Sequence, residues 1–210
     1  MTYSLLLTSP NRHMLAVATA TCTPAVGRSV PAARPGVGGV VSQAHTNSSL
    51  RTLVLDRLAA GATPAEALAD ALATDDDAHL RQVAVLAADG RSAAHVGHGT
   101  TAYTGMRTRD GAVAIGNYLA DGKVLDALIQ SADTGLLPSP VTGRDLAGVA
   151  LSAMQAAQAA GGDRRGQQSA ALTVIEHPGD TAGPEGRVVI SLAVDDDPAP
   201  LETLERLLRG

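Results

Sequence analysis

Residues 159–172 read AAGGDRRGQQSAAL, and this short stretch decides how the rest of the chain is read. It leaves an alanine-rich helical pattern, in which Leu146, Val149, Ala150, Ala153, Met154 and Ala157 keep the spacing of a buried stripe. It enters an apolar strand pattern, Ala170–Ile175. Gly161 and Gly162 suit the left-handed end of a helix. Between helix and strand stand Asp163, Arg164, Arg165, Gln168 and Ser169, a dense set of donors for one connection. Loops held on a rigid scaffold are where chemistry concentrates, and paired arginines suit a carboxylate. The plainer reading of the same residues is a solvated helix end with a surface ion pair.

Working outward, the pattern places strands at Tyr3–Leu7, Met14–Thr19, Val37–Gln43, Arg81–Leu86, Ser92–Val96, Ala112–Ile115, Ala170–Ile175 and Val188–Val194. Helices fall at about 48–60, 64–73, 122–131 and 142–160, with a short one around Leu201–Leu208. Thr63-Pro64-Ala65-Glu66 carries a capping-box signature. Residues 24–39 hold three prolines and four glycines and read as a bent connection. Strands, two helices, strands, two helices, strands, helix is an order that implies two sheets with helices outside. No repeat or linker divides the chain, so residues 1–210 are expected to form one domain. Gly36-Val37-Gly38-Gly39 precedes a strand rather than a helix and fails the dinucleotide-binding pattern.

Composition narrows the function classes. Hydrophobic residues make up 45% of the 210, yet there is no Phe, no Trp and only three Tyr, so Ala, Val and Leu must fill the core. The net charge of −5 is interspersed, and no basic stripe suggests nucleic acid. The single cysteine, Cys22, excludes an internal disulfide and an all-cysteine zinc site. No run reaches the ~20 apolar residues of a membrane span, and no secretory pattern opens the chain. A soluble cytoplasmic protein is expected, and small-residue faces on the paired helices suggest a homo-oligomer. Of six histidines, His95 and His98 are spaced three apart in a strand or turn, not as helical metal ligands, so no metal site is expected.

The N-terminus bears on catalysis. Methionine removal before a small residue would leave Thr2 with a hydroxyl and a free α-amine on one residue. An α-amine with an ordinary pKa near 7.7–8.0 can take the proton from its own hydroxyl. Threonine at position 2 is common and does not by itself mark a nucleophile.

Several segments together resemble one family. MTYSLL (1–6), VGRSVPAARPGVGGVVSQAHTN (26–47), GNYL (116–119), QAAGGDRRGQQSAAL (158–172) and SLAVDDDPAPLETLERLL (191–208) make the chain similar, over nearly its whole length, to the DUF1028 family. That family is placed in the N-terminal nucleophile (Ntn) hydrolase superfamily. The resemblance implies an α+β fold, the four-layer αββα sandwich with two antiparallel sheets flanked by helices. It also implies hydrolysis of a C–N bond other than a peptide bond, in a small amide or N-acyl compound, without cofactor. Thr2 falls on the family's N-proximal threonine, with Ser4 two positions on and on the same side of an extended strand. Gln43, Thr46 and Asn47 match its Gln-Ala-x-Thr-Asn segment; Gly116 and Asn117 match its Gly-Asn pair; Asp163, Arg164, Arg165, Gln168 and Ser169 match its last block.

On this reading Thr2 is the nucleophile, Ser4 a partner or second hydroxyl, and Asn117 or a nearby backbone N–H an oxyanion donor. Asn47 and Thr46 orient the α-amine or substrate, or else cap the following helix. Arg164 or Arg165 binds a substrate carboxylate. The chain departs from the family at Cys22, Thr23, Ala32 and His45, which implies a wider or differently shaped pocket. Two other readings use the same residues: a non-catalytic small-molecule-binding protein, and a hydrolase built on Ser4 or Cys22.

Overall fold

The computed structural model describes residues 2–179, 182–183 and 185–210. Two antiparallel sheets lie face to face. The larger has the order β10-β9-β2-β1-β8-β7, formed by β1 (Thr2–Thr8), β2 (Met14–Thr21), β7 (Gly105–Arg109), β8 (Ala112–Asn117), β9 (Ser169–Glu176) and β10 (Arg187–Val194). The smaller, β3-β4-β5-β6, is formed by β3 (Pro31–Arg34), β4 (Gly38–Ala44), β5 (Arg81–Ala87) and β6 (Ser92–Val96). Helices α4 (Lys123–Ser131), α5 (Gly143–Ala159) and α6 (Pro200–Arg209) cover the outer face of the larger sheet. Helices α2 (Ser49–Ala59) and α3 (Pro64–Leu72) cover that of the smaller. This is the expected αββα order of layers. A four-residue helix, α1 (Val26–Ser29), links β2 to β3.

Strand parity assigns each side chain to a layer, since successive residues point to opposite faces. In β1, Tyr3, Leu5 and Leu7 face the helices and Leu6 faces the second sheet. In β4 and β5, Val40, Val83 and Val85 face α2 and α3, while Val41, Ala84 and Leu86 face inward. Both faces of β1 and β2 are covered, so every residue of these strands is buried, and Leu5–Leu7 and Met14–Ala18 within them read as apolar runs. Without large aromatics the sheets approach closely. A Cβ on Gly39 would stand 2.7 Å from Val17 Cγ2 and 2.8 Å from Leu15 Cδ2. The small-residue face of α5 is buried against the larger sheet within the same chain, and is not available to a second copy.

Three elements differ from the sequence reading. The proline-rich connection contains α1 and the edge strand β3, and the charged segment 105–109 forms β7. The capping box at Thr63 is present, with Glu66 N donating to Thr63 Oγ1 and Thr63 N to Glu66 Oε2. Among the described residues no helix is long and apolar enough to cross a membrane.

Candidate active site

The inter-sheet core is apolar along most of its length and turns polar at one end. Parity brings to that end the inward residues Thr2 and Ser4 of β1, Thr19 and Thr21 of β2, Gln43 of β4, Gln82 of β5, Asn117 of β8 and Ser169 of β9. Strand register aligns them: Thr2 lies between Thr21 and Asn117, and Thr21 lies beside Ser169.

Beneath Thr2 these side chains form a closed network between the sheets. Gln43 Nε2 donates to Thr2 O at 2.9 Å and to Gln82 Oε1 at 2.8 Å. Asn117 Nδ2 donates to the same Gln82 oxygen at 2.9 Å. Gln82 Nε2 donates to Gly116 O at 2.9 Å and Gly105 O at 3.0 Å. Ser4 Oγ stands 2.7 Å from Gln43 Oε1 and 2.8 Å from Thr19 Oγ1. Gln43 and Gln82 are wholly buried, and a buried amide must be paired. The network therefore fixes which way each amide points.

Above this floor is a cavity of about 260 Å³ with Thr2 in its wall. Thr21, Thr23, Ser29, Thr46, Thr100 and Thr101 supply hydroxyls around it, and His45, Asn117, Tyr118 and Arg165 complete the polar lining. Thr2 Oγ1 is 3.2 Å from Thr21 Oγ1. Asn117 uses one amide N–H on Gln82, and its second proton is left for a group in the cavity. Among the described residues Arg165 is the cation in the lining and no carboxylate lines the cavity; behind the lining the same guanidinium reaches Asp163 Oδ2 at 3.4 Å.

The loop after α5 holds Arg165 in place. Gly161 (φ +116) and Gly162 (φ +46) end the helix, with Gly162 N donating to Ala157 O. Asp163 then accepts from Arg165 N at 2.7 Å and from Cys22 N at 3.2 Å, tying the loop to the end of β2. Burial raises the Asp163 carboxyl above its usual range, opposed chiefly by the Arg165 N–H. The Arg165 guanidinium lies over the Tyr118 ring, 4.9 Å from its centre, a cation–π contact. Tyr118 has φ +55, an uncommon conformation for a bulky residue and one found at functional turns.

The sequence-selected residues divide between the cavity and its supports. Thr2, Thr46, Asn117 and Arg165 line the cavity. Gln43 lies in the floor, and Asp163 behind Arg165. Ser4 is fully buried beneath the floor and does not meet the cavity. Arg164 turns away to donate to Ala102 O at 2.7 Å, so a carboxylate site formed by both arginines is not present. Gln168 reaches Asp196, and Ser169 joins Thr23 O and Val26 N to shape the β2–α1 turn. Asn47 precedes the N-cap Ser48, accepts from Ser49 N at the start of α2, and faces Asp75 rather than Thr2. Of the family departures, Thr23 and His45 line the cavity, whereas Ala32 packs toward α2 and α3 and Cys22 does not line it. Burial, with Asp163 next, pushes the Cys22 thiol up to about 11, the wrong direction for a thiolate nucleophile. Gln82, Thr21 and Tyr118 were not singled out in the sequence. Gln82 shares its parity with the inward face of β5, and that is the signal that identifies it.

The wall formed by Ala44, His45 and Thr46 is tethered from outside. Asp75 accepts from Arg81 Nε at 2.9 Å and Asn47 Nδ2 at 2.8 Å, and Arg81 donates to His45 O at 2.8 Å. The Arg81 guanidinium holds the Asp75 carboxyl down to about 2. A folded pKa below the unfolded ~3.9 gives stability that is present above pH ~4 and lost as pH falls through about 2. Asp75→Asn is expected to flatten this acid limb and to cost about 2 kcal/mol at neutral pH. Urea unfolding at a series of pH values measures both.

Fold and site together define an αββα sandwich with a threonine at the head of a central strand, opening on a hydroxyl-lined cavity. The chain belongs to DUF1028, a family of unknown function, whose sequence model matches residues 2–204. A solved DUF1028 protein from Silicibacter pomeroyi superposes with a TM-score of 0.85 at 28% identity, covering 99% of this chain and 84% of that one. Anbu (ancestral beta-subunit) from Yersinia bercovieri superposes with a TM-score of 0.44 at 14% identity, covering 97% of this chain and 91% of that one. No curated protein matches the chain.

Proposed function

We propose that the protein is an N-terminal-nucleophile amidohydrolase in which Thr2, exposed by removal of Met1, cleaves a small amide or N-acyl compound. Met1 itself lies outside the described residues. The observation that carries the reading is the position of Thr2: first in a central strand, in the cavity wall, with its carbonyl held by Gln43 and Asn117 alongside.

In this mechanism the α-amine of Thr2 takes the hydroxyl proton as Oγ1 bonds to the amide carbon. The second N–H of Asn117 stabilises the oxyanion; such a donor typically contributes roughly 2.7–4 kcal/mol. The C–N bond breaks as the ammonium returns its proton to the leaving nitrogen. Water, deprotonated by the same amine, then attacks the threonine ester and releases the acid. Arg165, pre-oriented on Tyr118, suits a substrate bearing a carboxylate. No cofactor enters these steps. Ser4 and Gln43 act as positioning residues.

Intact mass of the protein from its native host tests the first requirement. Loss of one methionine residue is the expected result, followed by release of free amine from carboxylate-bearing N-acyl compounds. Retained Met1 removes the α-amine and leaves the cavity as a binding site for small carboxylates.

A further inference from the structure

The loop that follows α5 crosses the end of the larger sheet directly ahead of Thr2. On one side Asp163 forms a β-bridge with Leu119, just past β8, and Arg164 N donates to Tyr118 O. On the other side Cys22 N donates to Asp163 Oδ2, and Gln168 N donates to Thr21 O at 2.8 Å, at the end of β2. β1 lies between these two strands, with Thr2 opposite Asn117 on one flank and Thr21 on the other. The nitrogen of Thr2 is the leading atom of β1, so it faces the 163–168 loop, and that loop brings Arg165 into the cavity wall. Nε and Nη2 of Arg165 face Asp163 at 3.5 and 3.4 Å, and the side chain remains 39% exposed. A guanidinium presents its N–H donors as a planar fork, which suits holding Asp163 behind and a ligand carboxylate in front.

We propose, resting on Thr2 as the nucleophile, that the substrates are N-acyl amino acids in which the carboxylate belongs to the leaving amine. Once Oγ1 has bonded to the amide carbon, three directions remain around that carbon. The oxyanion takes the side of Asn117, toward β8. The leaving nitrogen collects its proton from the Thr2 α-amine, and such a transfer needs the two atoms about 2.6–3.2 Å apart. It therefore lies toward the 163–168 loop and Arg165. The acyl group takes the direction that is left, toward the end of β2 and the smaller sheet, where Val26, Ser29, Val30 and Ala44 line the cavity. A carboxylate on the leaving half meets the guanidinium, whereas one on the acyl half points at two valines, an alanine and a hydroxyl. Hydrolysis consumes one water. The C–N bond breaks, the acyl carbon gains the hydroxyl and the nitrogen gains the proton, so the products are a carboxylic acid and a free amino acid.

The test compares amides that differ only in direction, using the whole protein lacking Met1. N-acetylglycine and N-methylmalonamic acid have the same atoms and the same carboxylate, but the amide is reversed between them. A panel of N-acetyl amino acids should be cleaved with kcat/KM at least tenfold above that of their reversed isomers. Arg165→Gln should raise KM for the N-acetyl amino acids at least tenfold, with a smaller change in kcat. Arg165→Lys keeps the charge and should recover part of the loss. Acylation of wild-type Thr2 by a β-lactone, read by peptide mass, separates the two levels of the argument. Equal or faster cleavage of the reversed isomers overturns the assigned direction and leaves Thr2 as nucleophile. Lactone acylation of Thr2 with no cleavage of either series overturns the substrate class alone. Neither acylation nor cleavage overturns the nucleophile, and this proposal falls with it.

Discussion

Thr2→Ala is expected to keep the fold and to abolish amide cleavage. Among the described residues the hydroxyl's hydrogen bond is to Thr21 Oγ1 at 3.2 Å, so its removal should cost no more than about 1 kcal/mol. The backbone bond from Gln43 to Thr2 O does not involve the side chain and survives. Loss of a nucleophile costs far more, on the order of 10⁴–10⁶-fold in rate, because no other hydroxyl in the wall carries its own base. Thr2→Ser restores an Oγ on the residue that bears the amine and should recover part of the activity. A β-lactone electrophile gives a readout that does not require the natural substrate. It should acylate the N-terminal peptide of wild type and Thr2→Ser, and leave Thr2→Ala unmodified. Wild-type turnover by Thr2→Ala would reject Thr2 as nucleophile; turnover lost with wild-type acylation of the Ala variant would do the same.

The layers of this fold were largely legible because hydrophobic period and cap chemistry are local. Thr63 and Glu66 announce α3 by themselves, and the stripe from Leu146 to Ala157 announces α5. β7 was not legible, because Met106 is the one large apolar residue of Gly105–Arg109 and the strand has no face to bury. The four-residue β3 opens on a proline, a turn signal that concealed it. The site was half legible for a different reason. Thr2, Asn117 and Arg165 sit in segments unusual enough to be noticed, but which polar groups meet depends on register between strands distant in sequence. Gln82 stands alone before Val83-Ala84-Val85-Leu86 and reads as ordinary strand entry. Only the pairing of β4 with β5, and of β1 with β8, brings it between Gln43 and Asn117. Asn47 shows the converse. Its segment looked functional, and its side chain joins the start of α2 to Asp75, one step outside the wall it supports.

Gln82→Leu is expected to be the most destabilising single change in the polar floor. Gln82 supplies the acceptor for Gln43 and Asn117 and the donor for Gly105 O and Gly116 O. Leucine of similar size leaves these groups buried without that partner, at about 1–3 kcal/mol each. The costs are not additive within one network, and a total of about 3–6 kcal/mol follows. Gln82→Glu separates the two halves of this role. It keeps an acceptor for the amides but turns an oxygen toward two carbonyls that need a donor, so burial and repulsion raise its pKa above the ordinary ~4.3. A raised folded pKa means that the variant's deficit is smallest below pH ~4 and grows as pH rises through the shifted value. Urea midpoints should therefore approach wild type in acid and diverge at neutral pH, opposite to the acid limb set by Asp75. Lactone acylation at Thr2, taken relative to wild type at each pH, should fall with the same trend, because Asn117 and the Thr2 carbonyl are both held through this one amide. Equal urea midpoints for Gln82→Leu and wild type at pH 7 would show that the floor is not what holds the two sheets in register beneath Thr2.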